Sequence, residues 1–520
     1  MKESISIIFV ALMFASTSAS WSPTQYERPA AVGQANAIRV QSEHQPMLAE
    51  FITSGEDGGM PQMPNPGRPA QTLEGLWQGT LDVGGTTLRL VLNISTAPDG
   101  RLIGHLDSLD QGAMNLPIDR ITFDGKRVRL EMKGLNAAYE GRLSEDGSDI
   151  SGQWTQGGIS LPLTFRRTDE APTLRRPQEP KKPYPYSEEE VIYENRRAGV
   201  KLAGTLTLPR SPGPFPAVLL ITGSGPQDRN ETVAGHRPFL VLADYLTRRG
   251  IAVLRVDDRG VGGSTGSVTD ATSQDFAEDV LAGVAYLKRR PEIDPEQIGL
   301  IGHSEGGLIA PLAAIRSSDI AFIILMSAPG LPGEDILLLQ AAAIAKASGA
   351  SDDVIAINRA IQKRIFDMVK RSEADRLTEE RLREDVMAFI AQLPEEQKNI
   401  ARRFTATLNR QIKMVLTPWF RFFLTYDPRP TLKKVTCPVL VISGERDLQV
   451  PPRENLPAIV EALEGGGNSD YQVVKLPGLN HLLQRCQTGL PAEYAKIEET
   501  INPVVLEIIA DWILRHARRQ

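Results

Sequence analysis

The sequence predicts an α/β chain: a mostly parallel, doubly wound sheet with a helical insertion, preceded by an all-β unit of barrel-like or sandwich type. Three observations predict it. From residue 188 onward, short unbroken apolar runs of buried parallel-strand type alternate with helical patterns. That alternation stops at 331 and resumes after 430, with helix formers and long charge patterns between. From 72 to 168, apolar and polar residues alternate singly in short runs punctuated by turns.

The first 20 residues, MKESISIIFVALMFASTSAS, place Lys2 before an apolar run from Ile5 to Ala15, then the small residues Thr17, Ser18, Ala19 and Ser20. This is the pattern of a secretory signal peptide, with cleavage expected after Ala19 or Ser20. The run is too short to span a bilayer, and no later one reaches the ~18–20 apolar residues a span needs. No cysteine offers a lipid anchor here. The mature chain is therefore expected to be exported, periplasmic or secreted, with no membrane span. Residues 21–71 are rich in Pro, Gly, Gln and Ala without periodicity, which predicts a flexible leader.

Residues 72–168 give the runs TLRLVLNIS, RLIGHLDSL, RVRLEMK, AAYEGRLS, ISGQWTQ and SLPLTFRR. Turn signals at 97–100, 124–125 and 145–147 separate them, as in a small barrel or sandwich. The opening Gly75-Leu76-Trp77 resembles the Gly-x-Trp start of calycin-type barrels. No catalytic set shows in this unit; it is expected to bind substrate or polymer, or to serve as a dimer or spacer element. Residues 169–187 contain PTLRRPQEPKKPYPYS, a Pro-, Lys- and Arg-rich linker expected to be extended.

The α/β domain is expected over 188–520. A strand pair is predicted near 191–196 and 201–208. Buried strands follow at 217–222, 251–256, 298–302, 321–326, 439–443 and 471–476. Helices are predicted at 238–249, 273–289, 305–316, 454–464 and 498–516. The segment 331–430 falls between the sixth and seventh sheet strands and reads as a helical cap.

Composition narrows the chemistry. Lys and Arg number 58 against 64 Asp and Glu, a net charge of −6, in a chain of 520 residues. That excludes a dominant basic footprint for nucleic acid. Cys437 and Cys486 are the only cysteines, which excludes a disulfide scaffold and a Cys-rich zinc module. They are expected near opposite edges of the sheet, roughly 17–20 Å apart and too far to bridge, although an oxidising compartment favours pairing. His44, His105, His236, His303, His481 and His516 show no metal-type spacing. No metal and no cofactor is expected.

The chemistry-bearing motif is Gly302-His303-Ser304-Glu305-Gly306-Gly307, which follows a predicted strand and opens a predicted helix. Flanking glycines allow a sharp turn that stands the serine at the carboxyl edge of the sheet, with a helix N-terminus behind it. A serine at its ordinary pKa needs a base. In this arrangement an acid and then a histidine follow in chain order. Asp447 lies just after strand 439–443 and His481 just after strand 471–476, so all three share one edge. Glu445 competes with Asp447 but sits too close to the strand end. Oxyanion donors are expected from the backbone of Glu305 and of the loop after 217–222, with Ser224 first and Gly223 or Gly225 next.

These residues resemble the α/β-hydrolase superfamily, as does Asp257-Asp258-Arg259-Gly260-Val261-Gly262-Gly263-Ser264. More narrowly, GSGPQDRNE, GHSEGG and PWFRFFLTYDP are similar to bacterial carboxylesterases of the EstD-like group, which overlaps serine aminopeptidases and dienelactone-hydrolase-like enzymes. The resemblance covers about 188–520. It implies the same triad of Ser304, Asp447 and His481. The family usually carries histidine where Thr222 stands, the residue that anchors the oxyanion loop by its side chain. Glu305 is expected to bind a polar substrate group or to pair with Arg229 or Arg259. The aromatic cluster at 419–426 is expected either to wall an acyl or alcohol pocket, through Trp419 and Phe423, or to pack the core. The expected activity is hydrolysis of small-molecule carboxylic esters of short to medium acyl length. A peptidase on the same triad and a binding protein on a hydrolase scaffold are the alternatives. The oligomeric state stays open.

Overall fold

The structure, a computed structural model, describes residues 72–517 apart from 84–85, 112, 157–158, 171–174 and 373–376. The expected signal peptide and leader, 1–71, lie outside the described residues. The period-two runs form nine antiparallel strands: β1 (Gly75–Val83), β2 (Thr86–Thr96), β3 (Leu102–Ser108), β4 (Ala113–Pro117), β5 (Arg120–Phe123), β6 (Arg127–Met132), β7 (Ala137–Leu143), β8 (Asp149–Gln156) and β9 (Ile159–Thr168). Their order is β4-β3-β2-β1-β9-β8-β7-β6-β5. The edge strands β4 and β5 are consecutive in the chain. Between them the Ile118 and Asp119 N–H groups donate to the carbonyls of Gly104 (3.2 Å) and Glu131 (2.9 Å), which curls the sheet toward closure. Alternate side chains point inward, so Trp77, Leu92, Tyr139, Ile150 and Phe165 fill one core. The Trp77 indole donates to the Leu73 carbonyl at 3.0 Å, and the Arg167 guanidinium covers its ring at 4.1 Å.

The second sheet has eight strands: β10 (Ser187–Asn195), β11 (Val200–Leu208), β12 (Phe215–Ile221), β13 (Ala252–Val256), β14 (Ile293–His303), β15 (Phe322–Met326), β16 (Val439–Gly444) and β17 (Tyr471–Leu476). The order is β10-β11-β13-β12-β14-β15-β16-β17. β10 and β11 pair antiparallel, as do β11 and β13; every other pair is parallel. The inner strands are apolar throughout because helices cover both faces. α1 (Pro238–Arg248) and α11 (Pro503–Ala517) bring Phe239, Leu242, Val505 and Trp512 to one face. α2 (Ser273–Leu287), α3 (Gly306–Ala314) and α10 (Pro452–Gly465) bring Val280, Val284, Leu312 and Ile459 to the other. Each such side chain contributes about 1.5–3 kcal/mol on burial. α2 starts at a capping box, in which the Thr272 N–H and hydroxyl both donate to Asp275, at 2.8 and 2.7 Å.

Between β15 and β16 the chain makes five helices: α4 (Gly333–Ala347), α5 (Asp352–Arg371), α6 (Glu379–Gln392), α7 (Glu395–Val415) and α8 (Pro418–Thr425). The short α9 (Arg429–Leu432) leads back to the sheet. Ser351, Thr378 and Thr417 cap α5, α6 and α8 with their side-chain oxygens. Ile361, Phe366, Leu382, Val386, Phe420 and Phe423 pack a separate core that also takes in Leu308 of α3. The insertion therefore rests on α3, the helix that follows Ser304.

The Pro-rich segment before β10 is not a free tether. Arg176 donates to the carbonyls of Gly235 (3.1 Å), Ala234 (3.1 Å), Ile497 (3.0 Å) and Ala495 (2.9 Å). Gln178 accepts from the Thr500 N–H at 2.5 Å and donates to the Ile501 carbonyl at 2.6 Å. Prolines keep the segment out of helix and sheet. Its polar side chains instead satisfy carbonyls of the 234–235 loop, of the end of the short 3₁₀ helix Pro491–Lys496 and of the chain just after it. Cys437 and Cys486 are both free thiols. Among the described residues, no helix is long and apolar enough to cross a membrane.

Candidate active site

β14 ends at His303, α3 begins at Gly306, and the turn between them puts Ser304 at φ +52°, the left-handed region where a side chain is strained. Glycine is required on both sides of this turn. A Cβ on Gly302 would sit 2.0 Å from the Gly306 carbonyl oxygen, and one on Gly306 would sit 2.2 Å from that of Ile221. The Ser304 N–H donates to the Met326 carbonyl at 2.9 Å, which pins the turn to β15.

The loops after β16 and β17 converge beside it. His481 Nδ1 lies 2.8 Å from Asp447 Oδ2, both side chains being buried. Asp447 Oδ1 accepts the N–H groups of Gln449 and Val450, each at 2.8 Å, so the carboxylate is fixed on both oxygens. Glu445 is exposed and accepts from the Gly478 N–H at 3.2 Å, away from the imidazole. The Ser304 hydroxyl makes no hydrogen bond to the His481 ring in this conformation; such contacts commonly tighten only around substrate.

The loop after β12 lies against Ser304. Space is short: a Cβ on Gly223 would be 3.3 Å from Ser304 Cβ. The Gly223 N–H, expected as a possible oxyanion donor, is instead committed to Glu231 Oε1 at 2.7 Å. Among the described residues, nothing accepts from the Ser224 or Glu305 backbone N–H. The Ser224 hydroxyl is buried against the Glu305 carboxylate without a hydrogen bond of ordinary geometry. Gly225 has φ +96° and lines a cavity of about 50 Å³ beneath the loop, with Glu305, Asp258 and Phe276. Thr222 keeps an anchoring role: its hydroxyl donates to Asp258 Oδ1 at 2.8 Å, and the Gln227 N–H donates to Oδ2 at 2.9 Å. Burial holds the Asp258 carboxyl well above the usual carboxylate range.

Glu305 pairs with neither expected arginine. Arg229 is taken by Asp257 (2.8 Å) and Glu190, and Arg259 by Asp279. Glu305 Oε1 accepts from the Ser273 hydroxyl at 2.6 Å and the Trp419 indole N–H at 2.8 Å. The reason is location: as the first residue of the α3 turn it points under α2 and α8, toward Ser273 and Trp419, where no cation among the described residues pairs with it. Burial raises its carboxyl above the usual value, and those hydrogen bonds offset part of the rise. Trp419 stacks on Phe423 with centroids 5.2 Å apart, and Phe423 is 1 % exposed. Both rings pack the core of the insertion, and Trp419 touches the site through its N–H rather than as an open wall.

Sequence reasoning passed over two residues here. His303 Nδ1 lies 2.8 Å from Glu231 Oε1, and its Nε2 lies 3.1 Å from the His481 carbonyl oxygen. Burial pulls the His303 imidazole down, but the Glu231 charge and hydrogen bond outweigh it and hold its pKa above the usual value. Position beside the serine was the one available signal for His303. Glu231 gave none, because 72 residues separate the partners. Among the described residues, no group of three or more His, Cys, Asp or Glu side chains is placed to hold a metal ion.

Residues 218–496 match the model of the alpha/beta hydrolase family. The chain is 26 % identical over 367 residues to the esterase EstD of Thermotoga maritima, covering 70 % of this chain and 78 % of the relative. It is 34 % identical over 140 residues to the thiohydrolase aneE of Aspergillus aculeatus, covering 27 % of this chain and 40 % of that one. Among solved structures, an esterase of Pyrococcus furiosus superposes with a TM-score of 0.36 at 17 % identity, over 64 % of this chain and 91 % of its own. With a strained serine between strand and helix, an Asp–His pair at the same sheet edge, and a family match over more than half its length, this chain belongs to the alpha/beta hydrolase family.

Proposed function

We propose that the protein is a serine hydrolase that cleaves small-molecule carboxylic esters of short to medium acyl length through an acyl-enzyme. The observation that carries this reading is Ser304, held at φ +52° beside the buried Asp447–His481 pair. Ser304 attacks the carbonyl carbon while His481 Nε2 takes its proton. Asp447 holds the imidazole in the Nδ1–H tautomer and stabilises the imidazolium that forms. The backbone N–H groups of Ser224 and Glu305 hold the oxyanion. His481 then protonates the leaving alcohol, and water repeats the sequence on the acyl group. The curated relative that matches most of this chain is an esterase by name.

A peptidase could use the same triad, but an aminopeptidase must also hold a free α-ammonium on a carboxylate. Glu305, the carboxylate nearest the nucleophile in sequence, is 2 % exposed and engaged by Ser273 and Trp419. That favours the ester. The N-terminal sequence supports export to the periplasm or medium, and a mature N-terminus at Ser20 or Trp21 in protein from the native host is the expected finding by mass spectrometry.

Two measurements test the activity. A fluorophosphonate should label Ser304 and not the Ser304→Ala variant; no adduct would leave only a binding protein on a hydrolase scaffold. The kcat/KM values for p-nitrophenyl acetate, butyrate and octanoate should exceed those for aminoacyl p-nitroanilides by orders of magnitude. Efficient anilide turnover abolished by Glu305→Gln would replace the esterase with a peptidase.

A further inference from the structure

Three segments of the site converge on one buried pair. Glu231 Oε1 accepts the Gly223 N–H at 2.7 Å, one residue before Ser224 in the oxyanion loop. The same oxygen lies 2.8 Å from His303 Nδ1, and His303 is bonded covalently to Ser304. His303 Nε2 lies 3.1 Å from the carbonyl oxygen of His481, which also accepts the Ser327 hydroxyl at 2.9 Å. Both partners are almost wholly buried, Glu231 at 3 % and His303 at 6 % exposure.

The proton count follows from donor chemistry. A carbonyl oxygen only accepts, so His303 Nε2 carries a proton. The Nδ1–Oε1 contact needs a second proton between a lone pair on nitrogen and one on oxygen. The pair therefore holds two protons and is neutral overall, and because imidazole is the stronger base of the two, both sit on His303 as an imidazolium facing a carboxylate. Losing either proton sets two acceptors against each other without water to intervene. The ionisable groups facing His303 are Glu231 from the loop after β12, Asp447 from the loop after β16, and the His481 ring, whose centroid is 4.9 Å away.

We infer that Glu231 and His303 are positioning residues for the reaction: one doubly protonated pair holds the oxyanion loop, the nucleophile turn and the backbone of the general base in register. The inference rests on the ester-hydrolase reading of Ser304, Asp447 and His481. A carboxylate is specifically required. In Glu231→Gln the amide oxygen can accept from Gly223 and from Nδ1–H, but His303 must then be an unpaired buried cation or turn a lone pair toward the His481 carbonyl. If the amide NH₂ faces Nδ1 instead, it meets the Gly223 N–H wherever the oxygen is not. Every arrangement gives up one of the three contacts.

The test is kinetics on the full-length enzyme, with active sites counted by fluorophosphonate titration so that only folded protein enters the rate. Glu231→Gln should lower kcat for p-nitrophenyl butyrate about ten- to a hundredfold while KM stays within about threefold, since a misplaced oxyanion hole and base weaken the transition state more than the ground state. In parallel, ¹⁵N-histidine NMR of the wild-type protein should show His303 still protonated on both nitrogens at a pH above the range in which a free imidazole keeps its second proton. Glu231→Gln should abolish that signature. If Glu231→Gln gives no folded protein, His303→Gln carries the kinetic arm with the same expected split. A kcat within about twofold of wild type, a loss confined to KM, or a singly protonated His303 would each overturn the inference. Failure of the hydrolase reading shows separately, as wild-type protein that neither takes the phosphonate nor turns over ester, and it would take the inference with it.

Discussion

Two carboxylates follow β16 within three positions, and burial decides between them. Asp447 is buried with both oxygens occupied, whereas Glu445 is exposed. Asp447→Asn should lower kcat by about 10³–10⁴-fold, because the amide favours the wrong imidazole tautomer, and Glu445→Gln should leave it within about twofold. Steady-state kinetics of the two variants checks this. His236 gives a prediction about stability. It is fully buried, with Nε2 on the Tyr494 carbonyl (2.9 Å) and Nδ1 on the Thr500 hydroxyl (3.0 Å). Burial, with Arg176 adding to it, pushes its pKa down from 6.5 to about 4. Between those values the unfolded chain binds the proton and the folded chain does not, so stability falls as pH drops through that window. The fall reaches ~3 kcal/mol at full effect. Urea unfolding at a series of pH values should show that slope, and His236→Gln should flatten it.

At the scale of elements, α8 brings the insertion into contact with the turn that carries Ser304. Thr417 caps it, Pro418 starts it, and Trp419 reaches Glu305. Trp419→Phe keeps the stacking on Phe423 but removes the indole N–H. The buried Glu305 carboxylate then loses a donor, which costs about 1–3 kcal/mol. Unfolding by urea should show a loss of that size. The aromatic run was legible in the sequence as either pocket wall or packing; only the fold shows its polar tip bonded to the residue beside Ser304. The expected ion pair of Glu305 failed for a related reason. Sequence lists which cations exist, but Arg229 and Arg259 are spent on Asp257, Glu190 and Asp279, which lie closer in space.

The whole molecule joins a nine-stranded antiparallel unit to an eight-stranded α/β sheet through the segment carrying Arg176 and Gln178. That segment ties the 231–236 loop, which supplies Glu231 and His236, to the chain around 495–501. The four carbonyls that accept from Arg176 lose their charged donor if it is removed. A chain starting at residue 175, without the β unit, should therefore keep kcat close to that of the full chain. A chain starting at 187 should be less stable by roughly 2–4 kcal/mol and lose activity on mild warming. Thermal unfolding and residual esterase activity of the two truncations check this. Equal behaviour would show that the segment is a passive linker.

By itself the sequence determined the strand and helix succession, the interruption at 331–430, and Ser304, Asp447 and His481 as the residues to watch. These signals are local: apolar runs set the strands, glycines set the turn, and each candidate lies within a few residues of a strand end. Gly302 and Gly306 were legible as the glycines of a sharp turn, whereas the fold adds that a Cβ on either would meet backbone. What tertiary structure decided is which polar groups meet. The loss of Gly223 as a free donor, the partners of Glu305, the docking of Arg176 and the Glu231–His303 pair all join positions far apart in the chain. A buried hydrogen bond needs two groups within about 3 Å and correctly aimed. Sequence gives the chemistry of each group, but only packing sets the distance between them.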